Sequence, residues 1–290
     1  MALDPGAPGR ARMRARLLRE GTRDLALARL SCEAERNLLL LDLIDQIGGN
    51  PSPSEMPAQV LGAFANDDLL GIAALRPSLV IEAGMPESVL DSLLPYFEAI
   101  ETGLVKSPRE IVDLLWRRLE RRGKRAMIDR IEQALSLRPA DFRQLESPSD
   151  VRIRPAQEGD LEALVHAARA SLREEGRPDP FDGDPMGFRR WVRGRLVRAR
   201  VAEQGGEICW VGYADVRRRE GWLVQGVYTW PEQRRRGIAQ AGMSALADEA
   251  FANGADHVQL AVVAGNEPAL ALYAKIGFAA FDELRTVLFF

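Results

Sequence analysis

The chain has 290 residues, 46% hydrophobic and 28% charged, with a formal net charge of −3. That length allows two domains of ordinary size. The composition is globular, no apolar run is long enough to span a bilayer, and the charge balance excludes a protein that coats polyanions along its whole surface. His166 and His257 are its two histidines and exclude a histidine-rich metal centre; both read as structural, and no metal is expected. Cys32 and Cys209 lack metal-ligand spacing and read as reduced core thiols of a cytoplasmic protein. Lysine occurs only at Lys106, Lys124 and Lys275 among 39 basic residues, a bias that fits a GC-rich bacterial genome.

Residues 1–23 read as a flexible basic lead with Arg10, Arg12, Arg14, Arg16 and Arg19. It has no apolar signal core, and a solvated lead is favoured over a nucleic-acid-binding arm, so no nucleic-acid partner is expected. Residues 24–140 read as an N-terminal α/β domain. Val60 to Phe64 and Leu69 to Leu75 form a hairpin around Asn66-Asp67-Asp68, and Leu79-Val80-Ile81 is a strand. Pro86 to Ile100 is a helix, and Leu104-Val105-Lys106 precedes another helix near Pro108. Residues 141–150 read as a linker, rich in proline, serine and acidic side chains.

The segment 151–290 has a regular order. Val151 to Pro155 is a strand, Asp160 caps a helix carrying Leu161, Leu164, Val165 and Ala168, and a second helix spans Phe188 to Val197. Strands at Ala199 to Glu203 and Ile208 to Val216 flank a Gln204-Gly205-Gly206-Glu207 turn, and Trp222 to Trp230 is a further strand. A helix then carries Ile238, Met243, Leu246, Ala247, Ala250 and Phe251. His257 to Val263 is a strand, Pro268 to Ile276 a helix, and Thr286 to Phe289 a last strand. Helices inserted between mostly antiparallel strands predict an α/β (α+β) domain with a mixed sheet flanked by helices. The first half partly repeats this order, as a degenerate duplicate would; the alternative is a dissimilar α/β regulatory domain.

Gln233-Arg234-Arg235-Arg236-Gly237-Ile238-Ala239 lies between a strand and a helix. Three arginines and no carboxylate stand at the positive end of that helix dipole, an arrangement that suits a bound anion. Gly237 allows close approach to the backbone, so free amides and guanidinium groups predict a phosphate or pyrophosphate site. The corresponding turn of the first half, Glu82-Ala83-Gly84-Met85-Pro86-Glu87, has two carboxylates and no arginine.

A second constellation is Asn266-Glu267-Pro268-Ala269-Leu270-Ala271-Leu272-Tyr273-Ala274-Lys275-Ile276-Gly277-Phe278. Pro268 fits a first helical turn and Gly277 a C-terminal cap, and by spacing alone Tyr273 is a core tyrosine. Together, Arg234-x-x-Gly237-x-Ala239 and Asn266-x-x-Ala269-x-x-Leu272-Tyr273-x-Lys275-x-Gly277-Phe278 resemble the GNAT superfamily of acetyl-CoA-dependent N-acyltransferases. The resemblance covers Val151 to Phe290, and the layout is similar to tandem GNAT proteins with a degenerate N-terminal copy.

The resemblance implies roles. Amides of Arg235, Gly237 and Ala239, within the turn Arg234-Arg235-Arg236-Gly237-Ile238-Ala239 and with the Arg234 side chain, would bind the pyrophosphate of acetyl-CoA. The backbone of Val227, Tyr228 and Thr229 would pair with the pantetheine arm and polarise the thioester carbonyl. Asn266 would contact the CoA arm, and Tyr273 would protonate the departing thiolate. Gln225 stands where many GNAT enzymes have a glutamate base, so a water relay, Glu175 or Asp215 is the expected route for the amine proton.

The loop from Arg173 to Pro185, with Glu174, Glu175, Asp179, Asp182, Asp184 and Phe181, suits a cationic amine; ordinary loop punctuation accounts for it equally well. The expected function is N-acetyl transfer from acetyl-CoA to a primary amine of a small molecule or polypeptide by direct attack. The expected protein is a cytoplasmic monomer or homodimer with no membrane partner. The alternative is a non-catalytic CoA sensor or partner-binding protein.

Overall fold

Ile238, Met243, Leu246, Ala247 and Ala250 recur at helical spacing, and in the computed structural model all five are buried on the helix Ile238–Ala252. The structure describes residues 13–49, 57–145 and 147–290. In its first half these are β1 (Met13–Leu17), α1 (Glu20–Leu30), α2 (Ala34–Asp45), β2 (Gln59–Ala65), β3 (Asp68–Arg76), β4 (Val80–Ile81), α3 (Glu87–Glu98), β5 (Gly103–Pro108), α4 (Arg109–Arg121) and β6 (Ala126–Leu137). The second half has β7 (Val151–Pro155), α5 (Leu161–Glu174), α6 (Pro185–Gly194), β8 (Ala199–Gln204), β9 (Glu207–Arg217), β10 (Trp222–Thr229), α7 (Ile238–Ala252), β11 (Val258–Val263), α8 (Glu267–Ile276) and β12 (Ala279–Phe289). Each half therefore runs strand, two helices, three strands, helix, strand, helix, strand.

The strands form a four-stranded sheet, β1-β2-β3-β4, and an eight-stranded sheet, β5-β12-β6-β11-β10-β9-β8-β7. Pairing is antiparallel except between β10 and β11, and a parallel bridge from Leu79 to Val105 links the two sheets. The mixed, mostly antiparallel sheet flanked by helices is the expected fold class.

The last strands of the two halves are exchanged. β6 lies between β11 and β12, pairing Val258 with Leu137 on one edge and Thr286 with Arg130 on the other. β12 in turn lies between β5 and β6, pairing Val287 with Val105. The cores follow the strands. Leu135 and Leu137 of β6 pack with Trp210, Met243, Leu246 and Ile276 of the second half, while Val287 and Phe289 of β12 pack with Phe97, Leu115 and Trp116 of the first. Helix α2 adds a further contact: Leu38 buries against Val216 and Leu223, and Asp45 takes Arg218 at 2.6 Å.

Several expectations need correction. The flexible lead 1–23 is ordered from Met13, because β1 pairs along β2 and α1 begins at Glu20. Arg10 and Arg12 lie outside the described residues, as does Glu146 of the linker. Helices α1 and α2 and strand β6 were not expected at all. The final strand starts at Ala279 rather than Thr286, since β6 offers it a full-length partner. Cys32 is exposed rather than a core thiol; Cys209 is buried. Asp160 precedes α5, but its side chain serves Arg154 (2.7 Å) and the Gln157 amide (2.7 Å) instead of capping the helix.

Candidate active site

The site begins where two neighbouring strands part. β10 and β11 pair only at Trp222 with Val258 and at Leu223 with Gln259; from there both run on unpaired toward their C-terminal ends. A bulge between Gln225 and Tyr228 bends β10 away, and on its other edge Tyr228 and Thr229 stay paired with Val211 and Trp210 of β9. Thr229 and its neighbours thus present one backbone edge to a wedge-shaped cleft. An open edge of this kind can accept an extended ligand as an added strand.

At the head of the cleft the chain turns through Pro231–Gln233 and enters α7. Gly237 is the residue before the helix, with a φ of +79°, which a side chain would strain. No side chain caps this end, and the first turn contains no acidic residue. Among the described residues, the amides from Arg235 to Ala239 have no hydrogen-bond acceptor. Unpaired amides at the positive end of a helix are suited to an anion. Arg235 and Arg236 are exposed beside it, and Arg236 donates to the neutral side chain of Gln233.

Arg234 is held differently. Its Nε donates to the Thr229 carbonyl at 3.0 Å, and its Nη2 reaches both carboxylate oxygens of Glu174 at 2.7 and 2.8 Å. The Tyr228 hydroxyl donates to the same carboxylate at 3.1 Å. Burial, reinforced by the Glu174 charge, raises the Tyr228 phenol above its usual pKa. The guanidinium expected to meet a phosphate is therefore ion-paired here.

On the far side, the Asn266 side chain accepts from the Ala269 amide at 3.3 Å and so caps α8. Gly277 closes that helix at a φ of +111°, where a Cβ would strike the Asp141 carbonyl. Tyr273 lies between them. Its ring packs on Phe278 with centroids 5.5 Å apart, it is 6% exposed, and its hydroxyl has no partner among the described residues. Burial drives this phenol well above its ordinary value, so it remains protonated through the neutral range.

The base candidates are both occupied. Asp215 accepts from Arg195 Nε at 3.1 Å and Nη2 at 2.5 Å, under a guanidinium that also stacks 4.0 Å from the Tyr213 ring centre. Glu175 accepts from Arg130 Nη1 at 2.9 Å. Gln225 sits on β10 opposite Tyr213. The remaining carboxylates of the acidic loop are also engaged. Asp179 takes Arg169 and Arg173, Asp182 takes Arg169, and Asp184 caps α6 through the Gly187 amide. Most of the loop's carboxylates are thus engaged by arginines from outside it, Arg130, Arg169 and Arg234, and Asp184 by a backbone amide. His166 on α5 stacks on Trp230, which packs against Tyr228, and buried His257 bonds Gln259 at 2.9 Å.

Residues of the first half reach the site that the sequence did not single out. Arg130 on β6 joins Glu175 to Glu132, which is 2% exposed and is also bonded by Lys106 and by Thr286 Oγ1 at 2.7 Å. Burial works against the Glu132 carboxylate, but Lys106, Thr286 and Arg130 outweigh it and bring its pKa down to about 2. Alternation along β6 was the one available signal, obscured by its charged residues. The equivalent cleft of the first half is closed by its own side chains. Ser107 Oγ accepts the Ile81 amide at 2.8 Å, Asn37 accepts the Ala83 amide at 2.9 Å, and Glu82 is buried against Arg29.

Among the described residues no group of three or more His, Cys, Asp and Glu could hold a metal ion. No described helix is long and apolar enough to cross a membrane.

A splayed strand pair, a turn of unpaired amides and a tyrosine on α8 are the arrangement that the resemblance to GNAT acyltransferases implies. The model of the acetyltransferase (GNAT) family matches residues 161–278, a GNAT domain within the chain. The whole chain is similar in fold to a Drosophila protein, with a TM-score of 0.74 at 14% identity, covering 94% of this chain and 98% of that one. It is also similar to a GCN5-related N-acetyltransferase from Sphaerobacter thermophilus, with a TM-score of 0.58 at 20% identity, covering 98% and 96%. A tandem GNAT protein from the clavulanic acid biosynthesis pathway aligns with a TM-score of 0.57 at 10% identity, covering 96% and 98%. No curated protein matches the chain in sequence.

Proposed function

We propose that the chain transfers an acetyl group from acetyl-CoA to a primary amine of a small molecule or polypeptide. The observation that carries this reading is the run of unpartnered amides from Arg235 to Ala239 at the head of the open β10–β11 edge. The pyrophosphate would bind those amides, with Arg235 and Arg236 beside Gly237 and Ile238, and Arg234 could join by giving up Glu174. The pantetheine arm would lie along Val227, Tyr228 and Thr229, with Asn266 at the far rim.

In the reaction the neutral amine attacks the thioester carbon and the C–S bond breaks. An amide of β10 stabilises the developing oxyanion, and Tyr273 gives its proton to the departing thiolate. The proton lost by the amine passes to water, since Gln225 cannot accept it and the Glu175 and Asp215 side chains are engaged by Arg130 and Arg195. A CoA sensor without catalysis rests on Gln225 and on the lack of an assigned base, and a water relay accounts for both. The division at 141–150 separates an acetyltransferase half, 151–290, from a degenerate GNAT copy whose cleft is filled, and one CoA per chain follows. A cytoplasmic monomer or homodimer is the accompanying expectation.

The test is a thermal shift with acetyl-CoA together with thiol release across a panel of amines, on wild type and Gly237→Glu. Wild type should be stabilised and release CoA with at least one amine. Gly237→Glu, whose carboxylate enters the anion site, should lose both responses while keeping its secondary structure. An equal response of the two proteins to acetyl-CoA would discard the turn as the phosphate site.

A further inference from the structure

Two consecutive glutamates at the end of α5 reach opposite rims of the cleft. Glu174 takes the near rim, bonding Arg234 on the turn and Tyr228 on β10. Glu175 takes the far rim, paired with Arg130 on β6, the strand beyond β11. The end of α5 is thus pinned across the opening at two points, and the second anchor belongs to the first half of the chain. Arg130 is fixed in turn by the buried Glu132, so its guanidinium is not a free surface group.

The three arginines of the turn are not equivalent. Arg236 bonds a neutral amide, Arg235 has no partner among the described residues, and Arg234 alone is held by a carboxylate. That carboxylate occupies the guanidinium that a pyrophosphate would seek. Both side chains are substantially exposed, at 42% and 48%, so the pair is weak enough for a ligand to displace.

We propose that Glu174 is a built-in competitor of the CoA pyrophosphate for Arg234, held in place by Arg130 of the N-terminal half through Glu175. The first half thereby sets how tightly the second half takes its acyl donor. This rests on the reading of the turn as a CoA site. Arg130 is a positioning residue in this scheme and touches no substrate.

The experiment is a calorimetric titration of the full chain with CoA. Glu174→Gln should bind CoA about two- to fivefold tighter, the range set by an exposed ion pair. Arg130→Met removes a positive charge and by charge alone would weaken binding of a polyanion. The relay instead requires it to tighten binding by a similar factor, with no further gain in the double variant with Glu174→Gln. Because Arg130 also touches buried Glu132, Glu175→Gln repeats the test without disturbing that residue. Glu232→Gln is the control, since it removes a carboxylate from the same turn without releasing an arginine. The proposal fails if Glu174→Gln binds no tighter than wild type, if Glu232→Gln gains as much, or if Arg130→Met and Glu175→Gln both bind more weakly. If wild type binds no CoA, the CoA reading itself falls and the competitor with it.

Discussion

Tyr273 combines a core ring with a polar tip. The ring belongs to the cluster around Trp210, Met243 and Ile276, while the hydroxyl has no partner among the described residues. Burial raises this phenol from its usual 10, so it stays protonated at and above neutral pH. Such a group can donate to a thiolate but cannot serve as the base. Tyr273→Phe keeps the ring and removes only the proton. It should lower turnover by about 100-fold, a modest general-acid contribution, while CoA affinity stays within about twofold of wild type. Turnover should also show no alkaline loss attributable to this residue below pH 10. Steady-state kinetics and a CoA titration decide it; unchanged turnover would remove Tyr273 from the chemistry. Tyr273, Gly237 and Gly277 were legible because their roles are local, set by a helix row, a helix start and a helix end. The commitment of Arg234 to Glu174 was not, since that contact joins residues 60 positions apart.

Among the elements, β6 was the hardest to read. Its sequence, AMIDRIEQALSL, carries Asp129, Arg130 and Glu132 in a strand paired on both edges. Buried charges argue against a central strand unless partners are supplied, and here Lys106, Thr286 and Arg130 supply them from β5, β12 and β6 itself. β10 and β11 showed in the sequence because their apolar pattern needs no such partners. The Glu132 network has a definite pH signature. Its folded pKa, about 2, lies below the ordinary 4.5, so its stabilising contribution is complete above about pH 4.5 and is lost as pH falls toward 2. Glu132→Gln leaves Lys106 and Arg130 facing a neutral group and should cost about 3 kcal/mol at pH 7, the lower end for breaking a buried pair. The difference in Tm between the two proteins should then shrink between pH 4.5 and pH 2. A constant difference over that interval would mean that Glu132 acts through packing and not charge.

At the scale of the whole molecule, the repeated element order could be seen only in part from sequence, because β1, α1, α2 and β6 completed it. What no local pattern could reveal is the exchange of the two last strands. Without β6, the edge of β11 is bare and Leu135 and Leu137 are missing from the core that holds Tyr273. Without β12, the first half loses Val287 and Phe289, both fully buried. Neither half closes its own sheet without a strand of the other. Expressed alone, residues 148–290 should therefore be insoluble or lack a cooperative transition, since an open hydrophobic edge favours aggregation. Co-expressed with residues 1–147 as a separate polypeptide, the same segment should co-purify with it and regain the stabilisation by acetyl-CoA. The intact chain should unfold in one calorimetric transition, as a unit whose halves share strands. Two resolved transitions, or a soluble 148–290 fragment that binds acetyl-CoA like the intact chain, would show that the exchanged strands are dispensable and that each half is a domain in its own right.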